Sequence, residues 1–239
     1  SDAFQECDIT GITLPITKHN YLLTQPEDVA ATVRAAFHVA RSGRPGPVLI
    51  DMTKDCQQKS CDFAWSDVPP LEHQRPDLRP GDAALARAVD LINEAKRPLI
   101  LAGNGIIASG ASDLVRKFAE HTDIPIAMTL LGIGGVPASH PLNLGMMGMH
   151  GEAWVNTSIQ EADLLIAVGM RFDDRVTGNL KTYALNAKKI HLEIDRSEIN
   201  KNVKVDVGLV GDVGQLLQQL TPRVEPGNHA QWRAHIDAL

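Results

Sequence analysis

Several kinds of residue and pattern are scarce in this sequence, and each scarcity narrows what the chain can be. Aromatic side chains make up only 4% of its 239 residues, while Ala, Val, Leu, Ile and Gly are plentiful. That balance favours α/β layers over a sandwich of antiparallel sheets. Cys7, Cys56 and Cys61 are the only cysteines. They are odd in number and lack metal-ligand spacing, so neither a disulfide framework nor a zinc cluster is indicated. They fit a reducing cytoplasm, or an organelle after removal of a targeting segment. No apolar run approaches the roughly 20 residues that span a bilayer. The first residues, SDAFQECD, do not read as a signal peptide. Positive charge is not in excess either: the net charge is −6 and spread along the chain, which argues against nucleic acid as the main partner. There is no P-loop and no Ser-His-Asp or Cys-His arrangement, so hydrolase chemistry is not indicated.

What is present is an α/β rhythm. Residues 1–55 hold one helix, expected to start near Thr24 and Glu27 at capping-box spacing and to run to Gly43, then a short strand from Val48 to Asp51. One helix and one or two strands cannot bury a core of their own, so this part is expected to be the end of a larger domain. Residues 56–80 are rich in proline and read as a linker. From residue 81 amphipathic helices alternate with apolar runs: Pro98 to Ala102, Ile124 to Thr129, Leu164 to Val168, Lys188 to Asp195 and Val203 to Val210. Runs buried on both faces, separated by helices, imply a parallel doubly wound sheet of Rossmann-like type over residues 81–222, preceded by an incomplete α/β segment. Residues 223–239 turn polar and read as the start of a linker to a further domain, with Gln231 to Leu239 reading as a helix.

The stretch Asp163 to Gly178, DLLIAVGMRFDDRVTG, organises the rest. Its apolar half empties into Arg171, Asp173, Asp174 and Arg175, and open α/β sheets place ligands outside the carboxyl ends of their strands. Other strands end comparably: in Gly103-Asn104-Gly105, in Thr129, at Glu193, and in Gly211-Asp212. Glycines allow a phosphate to approach backbone N–H groups, Arg171 and Arg175 suit a diphosphate, and a carboxylate such as Glu193 or Asp212 accepts from ribose or an adenine amine. The blander alternative is a solvated loop with two local ion pairs. GMMGMHG (Gly145 to Gly151) reads as apolar backbone lying along a flat ring, with His150 as a hydrogen-bond donor. A metal site is not expected, because His150 has no second ligand at suitable spacing.

Five motifs carry a family resemblance: DAFQE at Asp2–Glu6, ITKHNYL at Ile16–Leu22, GRPGPVLID at Gly43–Asp51, LGMMGMHG at Leu144–Gly151 and RFDDRVTG at Arg171–Gly178. In this order they closely resemble the catalytic subunits of acetolactate (acetohydroxyacid) synthases, over nearly the whole chain. The resemblance implies a transferase of branched-chain amino-acid biosynthesis with three α/β domains. The outer two hold thiamine diphosphate and Mg²⁺, and the central one holds FAD with no net redox role. The enzyme joins pyruvate to pyruvate or 2-ketobutyrate after decarboxylation.

By the same resemblance, residues 1–55 close the thiamine-pyrimidine-binding domain and residues 81–222 form the FAD-binding domain. Gln5 and Lys54 belong to the substrate channel, and Phe4 and Arg44 to the flavin region. Gly103, Thr129, Leu130, Met147, Gly148, Met149, His150, Gly169, Met170, Arg171, Phe172, Asp173, Arg175, Glu193, Ile194, Gly211, Asp212 and Val213 match FAD-contacting positions. The family's early catalytic Glu and later diphosphate-and-metal motif do not occur in this sequence, so it is expected to be inactive alone. Thr53 stands where the family usually has Pro, Glu193 where it usually has Asp, and Asn104 inside a usual run of three glycines. Asn there is expected to tolerate unusual backbone angles. The implied partners are small 2-keto acids, further catalytic subunits in a homo-oligomer and a small regulatory subunit, with neither nucleic acid nor membrane. The implied location is the cytoplasm, bacterial by preference, or a plastid or mitochondrion after transit-peptide removal. The competing expectations are a non-catalytic dinucleotide-fold assembly module and a related thiamine-diphosphate carboligase or decarboxylase.

Overall fold

Residues 7–65 and 80–239 are described by the structure, a computed structural model. The chain divides into two units, Ser1–Asp77 and Leu78–Leu239.

The first unit contains α1 (Ile9–Thr13), β1 (His19–Leu23), α2 (Val29–Arg41), β2 (Val48–Met52) and α3 (Lys54–Gln58). β1 and β2 pair in parallel, with His19 opposite Val48 and Leu23 opposite Met52. A parallel pair needs a crossover, and α2 supplies it. Thr24 and Glu27 do not form the expected capping box. A single 3₁₀ turn at Pro26–Asp28 leads into α2, and neither has a side-chain cap. The buried hydrophobics are Leu23, Ala35, Ala36, Val39 and Cys56, whereas Ile12, Leu14, Ile16, Leu22 and Phe37 remain exposed.

The second unit runs α4 (Asp82–Glu94), β3 (Pro98–Ala102), α5 (Gly105–Ala108), α6 (Ser112–Thr122), β4 (Ile126–Met128), β5 (Asn143–Met146), α7 (Ala153–Glu161), β6 (Leu164–Val168), α8 (Asp174–Thr177), β7 (Lys188–Glu193), β8 (Val207–Val210), α9 (Val213–Leu220) and α10 (Ala230–Asp237). Six strands form one all-parallel sheet in the order β5-β4-β3-β6-β7-β8. This is the doubly wound α/β fold that the alternating pattern implies. Every residue of β3 and β6 is buried. Along β6, Leu164, Ile166 and Val168 enter one core with the apolar faces of α4, α6 and α9, while Leu165 and Ala167 enter a second core with α7, Phe172 and Tyr183. Each buried Leu, Ile or Val contributes about 1.5–3 kcal/mol. A surface ion pair contributes only about 0–1 kcal/mol, so the two cores, rather than surface charges, hold the sheet.

The edges are built differently from the centre. β5 and β8 have four residues each, both include a glycine, and the β4–β5 register shifts between Ile126 and Ala127. Asp163, just before β6, ties the amino ends of two neighbouring strands together. Its Oδ2 accepts from Lys96 N at 2.8 Å and its Oδ1 from Arg97 N at 2.9 Å. α10 packs within this unit: Trp232 is buried and its Nε1–H donates to Pro98 O, at the start of β3, at 3.0 Å. The expected linker thus contains a helix seated against the sheet's second face, beside α7.

Candidate functional site

From β3 the chain moves outward to β4 and β5; from β6, immediately beside β3, it moves the opposite way to β7 and β8. The carboxyl ends of β3 and β6 therefore flank the switch point where open sheets bind ligands. Gly103 and Gly105 end β3 here, and Gly169 ends β6. Gly103 N donates to Val168 O at 3.0 Å and Gly105 N to Gly169 O at 2.8 Å. A Cβ on Gly103 would lie 2.5 Å from Gly169 O. These glycines thus let two backbones touch, and the N–H groups of Gly103 and Gly105 are spent on that contact rather than left for a phosphate. Asn104 corrects a sequence expectation. It takes ordinary right-handed helical angles, φ −57° and ψ −26°. The left-handed angle falls on Gly169, at φ +57°.

The GMMGMHG segment forms a turn held at several points. Gly148 has φ +99°, and a Cβ there would meet Arg175 O at 2.5 Å. Asn156, on α7, grips it from both sides: Gly148 N donates to Asn156 Oδ1 and Asn156 Nδ2 to Gly148 O, each at 2.9 Å. Met149 N donates to Arg175 O at 2.8 Å, which locks this turn to α8. Met147 is a core side chain, whereas Met149 and His150 are exposed. Leu130, in the turn after Thr129, is exposed as well, together with Leu131 and Ile133.

The Gly169–Asp173 turn has its carbonyls anchored from below. Gly169 O takes the Gly105 N–H, and Met170 O lies 2.7 Å from His191 Nε2. Phe172 O accepts from Asn202 Nδ2 at 2.8 Å, and Asp173 O accepts from Val176 N and Thr177 N. Met170 and Phe172 are core side chains, so only their backbone reaches the rim. Arg171 and Arg175 are exposed. Arg171 Nη2 lies 3.5 Å from Asp173 Oδ2, and Arg175 Nε 4.0 Å from Asp174 Oδ2. Both local pairs of the blander alternative thus exist, yet pairs this exposed are weak enough for an anionic ligand to displace. Asp173 Oδ1 is buried without a hydrogen-bond partner.

On the β7–β8 side, Glu193 is buried, and its Oε1 accepts from Asp195 N at 3.1 Å. Gly211 N donates to Glu193 O at 3.0 Å. Asp212 is the N-cap of α9, its Oδ1 accepting from Gln215 N at 3.1 Å. Ile194 is half-buried, and Val213 belongs to the first core. Below this rim, burial lowers the pKa of His191, against the pull of its hydrogen bond to Met170 O. Burial also lowers that of Lys189, whose Nζ donates to Ala184 O and Ala187 O. Burial raises that of Tyr183.

The structure therefore brings Gly103, Thr129, Leu130, Met147 to His150, Gly169 to Asp173, Arg175, Glu193, Ile194 and Gly211 to Val213 to one edge of one sheet. Arg44 and Lys54, both exposed, belong to the first unit, and Phe4 and Gln5 lie outside the described residues. Asn156, His191 and Asn202 were not singled out from sequence, although each holds a backbone group of this edge. The one usable signal was a lone histidine within the apolar run KIHLE. A cavity of about 630 Å³ lies elsewhere, at the amino end of the sheet, among Ile92, Lys96, Thr122, Glu225, His229 and Trp232. Much of its lining is exposed, and Thr122 and Trp232 have hydrogen-bond partners within the protein. The switch-point edge, with its exposed arginines and orphaned carboxylate oxygen, is the better-equipped site. Among the described residues no group of three His, Cys, Asp or Glu side chains is placed to hold a metal ion. No helix among them is long and apolar enough to cross a membrane.

A six-stranded parallel sheet with a glycine-lined switch point and an arginine-bearing rim defines a doubly wound α/β domain. Residues 85–220 match the family model described as thiamine pyrophosphate enzyme, central domain, and the chain belongs to that family. It is 44% identical over its whole length to the acetolactate synthase large subunit of Corynebacterium glutamicum. It is 46% identical over 92% of its length to a probable acetolactate synthase large subunit of Methanocaldococcus jannaschii. It is 48% identical, again over 92%, to the acetolactate synthase large subunit of Parasynechococcus marenigrum. The chain spans 39%, 38% and 36% of these three relatives.

Proposed function

We propose that the second unit is the FAD-binding central domain of an acetolactate synthase catalytic subunit, and that the first unit closes that enzyme's thiamine-pyrimidine-binding domain. The observation that carries the reading is the pair of exposed guanidinium groups, Arg171 and Arg175, on the sheet edge that also carries the exposed apolar Leu130 and Met149, with Arg175 Nη1 3.4 Å from Met149 Sδ. A diphosphate suits the arginines and a flat ring suits the apolar surface. Glu193 and Asp212 would supply acceptors for ribose hydroxyls or an adenine amine, and the Met147–His150 backbone would lie along the ring. FAD, when bound, contributes a planar aromatic ring and a dianionic diphosphate, and in this role needs no electron transfer.

The decarboxylating condensation of pyruvate with a second 2-keto acid belongs to the full-length enzyme, with thiamine diphosphate and Mg²⁺ held outside this chain. Further catalytic subunits and a small regulatory subunit are the expected partners, in the cytoplasm. Alone, the chain positions FAD and catalyses nothing. A second reading, an empty dinucleotide fold that only assembles neighbouring domains, draws support from the Gly103 and Gly105 N–H groups being engaged internally.

Purification decides between the two. A yellow protein with a flavin absorbance band, or a melting temperature that rises on FAD titration, supports the first. A colourless chain whose melting temperature FAD leaves unchanged removes it for this chain. For the full-length enzyme, pyruvate supplied with thiamine diphosphate, Mg²⁺ and FAD must yield acetolactate, and failure to do so ends the assignment.

A further inference from the structure

His191 occupies the middle of β7, opposite Ala167 on one side and Gly208 on the other, and is wholly buried. Its neighbours in sequence, Ile190 and Leu192, point into the first core. Strand alternation therefore sends the imidazole to the other face, toward Phe172. Burying a polar ring in an otherwise apolar strand is unfavourable unless its atoms find partners. One does: Nε2 lies 2.7 Å from Met170 O. A carbonyl only accepts, so the proton is on Nε2, and Nδ1 is left as a bare acceptor without a partner. The ring also meets Phe172 edge to face, with centroids 5.1 Å apart and planes at 72°. One side chain thus grips consecutive parts of a single turn, the carbonyl of Met170 and the ring of Phe172. Arg171 lies between them, and its guanidinium is the part that reaches solvent.

Three other carbonyls of this turn are held in other ways. Gly169 O is held by backbone, Asp173 O by the first turn of α8, and Phe172 O by Asn202. Among the described residues, Met170 O meets the imidazole alone. An apolar residue of similar bulk would pack against Phe172 and leave that carbonyl without its donor.

We infer that His191 is a positioning residue: it fixes the Gly169–Asp173 turn from beneath, and so sets where Arg171 meets the dinucleotide. The inference rests on the FAD reading for its ligand, but not for its structural half. The side-chain amide of Gln places a donor close to where imidazole Nε2 stands, whereas Leu supplies bulk alone, so the two substitutions separate the hydrogen bond from the packing.

The test compares the 239-residue chain with its His191→Gln and His191→Leu forms. Hydrogen exchange is measured on the amides of residues 169–175, and FAD affinity is measured by flavin fluorescence. In His191→Leu, exchange in the turn is expected to quicken at least 10-fold while β3 and α6 stay at wild-type rates, and FAD affinity to fall at least 10-fold. In His191→Gln, both are expected to stay within about threefold of wild type. Unchanged exchange in His191→Leu overturns the inference whatever FAD does, and so does a His191→Gln form as impaired as His191→Leu. If the wild-type chain binds no FAD, the FAD reading fails here, and the exchange rates still decide whether His191 orders the turn. Should His191→Leu not fold, His191→Met replaces it. If neither folds while His191→Gln does, the donor to Met170 O is a folding requirement and the positioning role is overturned.

Discussion

Gly105 and Gly169 touch backbone to backbone where β3 and β6 end: a Cβ on Gly105 would lie 2.5 Å from Gly169 Cα, and one on Gly169 2.7 Å from Gly105 Cα. No side chain can rotate away to relieve such a contact, since both partners are main chain. Gly105→Ala is therefore expected to cost about 1–3 kcal/mol or more through overpacking. Gly110 provides the control. It has φ +66° but open space around its Cβ position, so Gly110→Ala should cost only about 1 kcal/mol, through backbone strain. Urea denaturation of both variants measures the difference. A Gly105→Ala form as stable as Gly110→Ala contradicts the close approach.

Arg171 and Arg175 separate binding from folding. Their carboxylate partners lie 3.5 and 4.0 Å away on an exposed rim, and pairs of that kind contribute about 0–1 kcal/mol. Arg171→Ala and Arg175→Ala should leave the melting temperature within a degree or two of wild type. Each should weaken FAD binding about 10-fold or more, since charge-assisted bonds to a diphosphate are lost. Isothermal titration alongside thermal melts checks both halves. Wild-type affinity in the double variant would remove the arginines from the site.

Trp232 tests whether α10 is part of the folded unit. Trp232→Phe keeps most of the buried area but leaves Pro98 O without its donor, so a loss of about 1–2 kcal/mol is expected. Trp232→Ala removes the ring from its buried position and should cost about 3–5 kcal/mol. Denaturation monitored by circular dichroism reads both. If Trp232→Ala unfolds at the wild-type urea midpoint, α10 is a loosely attached appendage.

Two histidines make stability depend on pH. Burial lowers the pKa of His191 and of His229 below the ordinary 6.5. In the unfolded chain both take up a proton as pH falls through about 6.5, while in the fold both stay neutral to lower pH. The unfolded state therefore binds more protons, and stability rises with pH across this window. It is fully present above about pH 7 and is lost as the solution is acidified toward the folded-state values. Melting temperatures taken from pH 8 down to pH 5.5 should fall, and His191→Gln should flatten the fall. A melting temperature independent of pH across that range contradicts the neutral buried imidazole.

Much of this fold could be read directly from residue order. Pro98–Ala102 and Leu164–Val168 appear with the boundaries that their apolar runs mark, because each is closed by glycine and buried along its whole length. β5 was not foreseen: NLGM contains Asn and Gly, pairs with one neighbour only, and enters with a register shift. Val203 to Val205 read as strand, yet pairing begins only at Val207, after Asn200 takes a left-handed angle and its Oδ1 captures Val205 N. The rim residues were found because arginines and glycines cluster visibly at strand ends. Their supports were not, because Asn156 acts on Gly148 across a loop and Asn202 reaches Phe172 from 30 residues away. Such pairings depend on tertiary placement, which no local spacing encodes.

The uneven construction of the sheet has a consequence for how the protein behaves when crowded. Strands as apolar as β3 and β6 would recruit other chains if they stood at a border, where unpaired N–H and C=O groups invite addition of a further strand. They are enclosed instead, and the borders are left to β5 and β8, short and interrupted by glycine, with β5 further offset by its slipped register. Those are poor templates for edge-to-edge growth. The same arrangement that centres the glycine-lined switch point between β3 and β6 also shields the most apolar strands of the sheet, as long as the second unit stays folded.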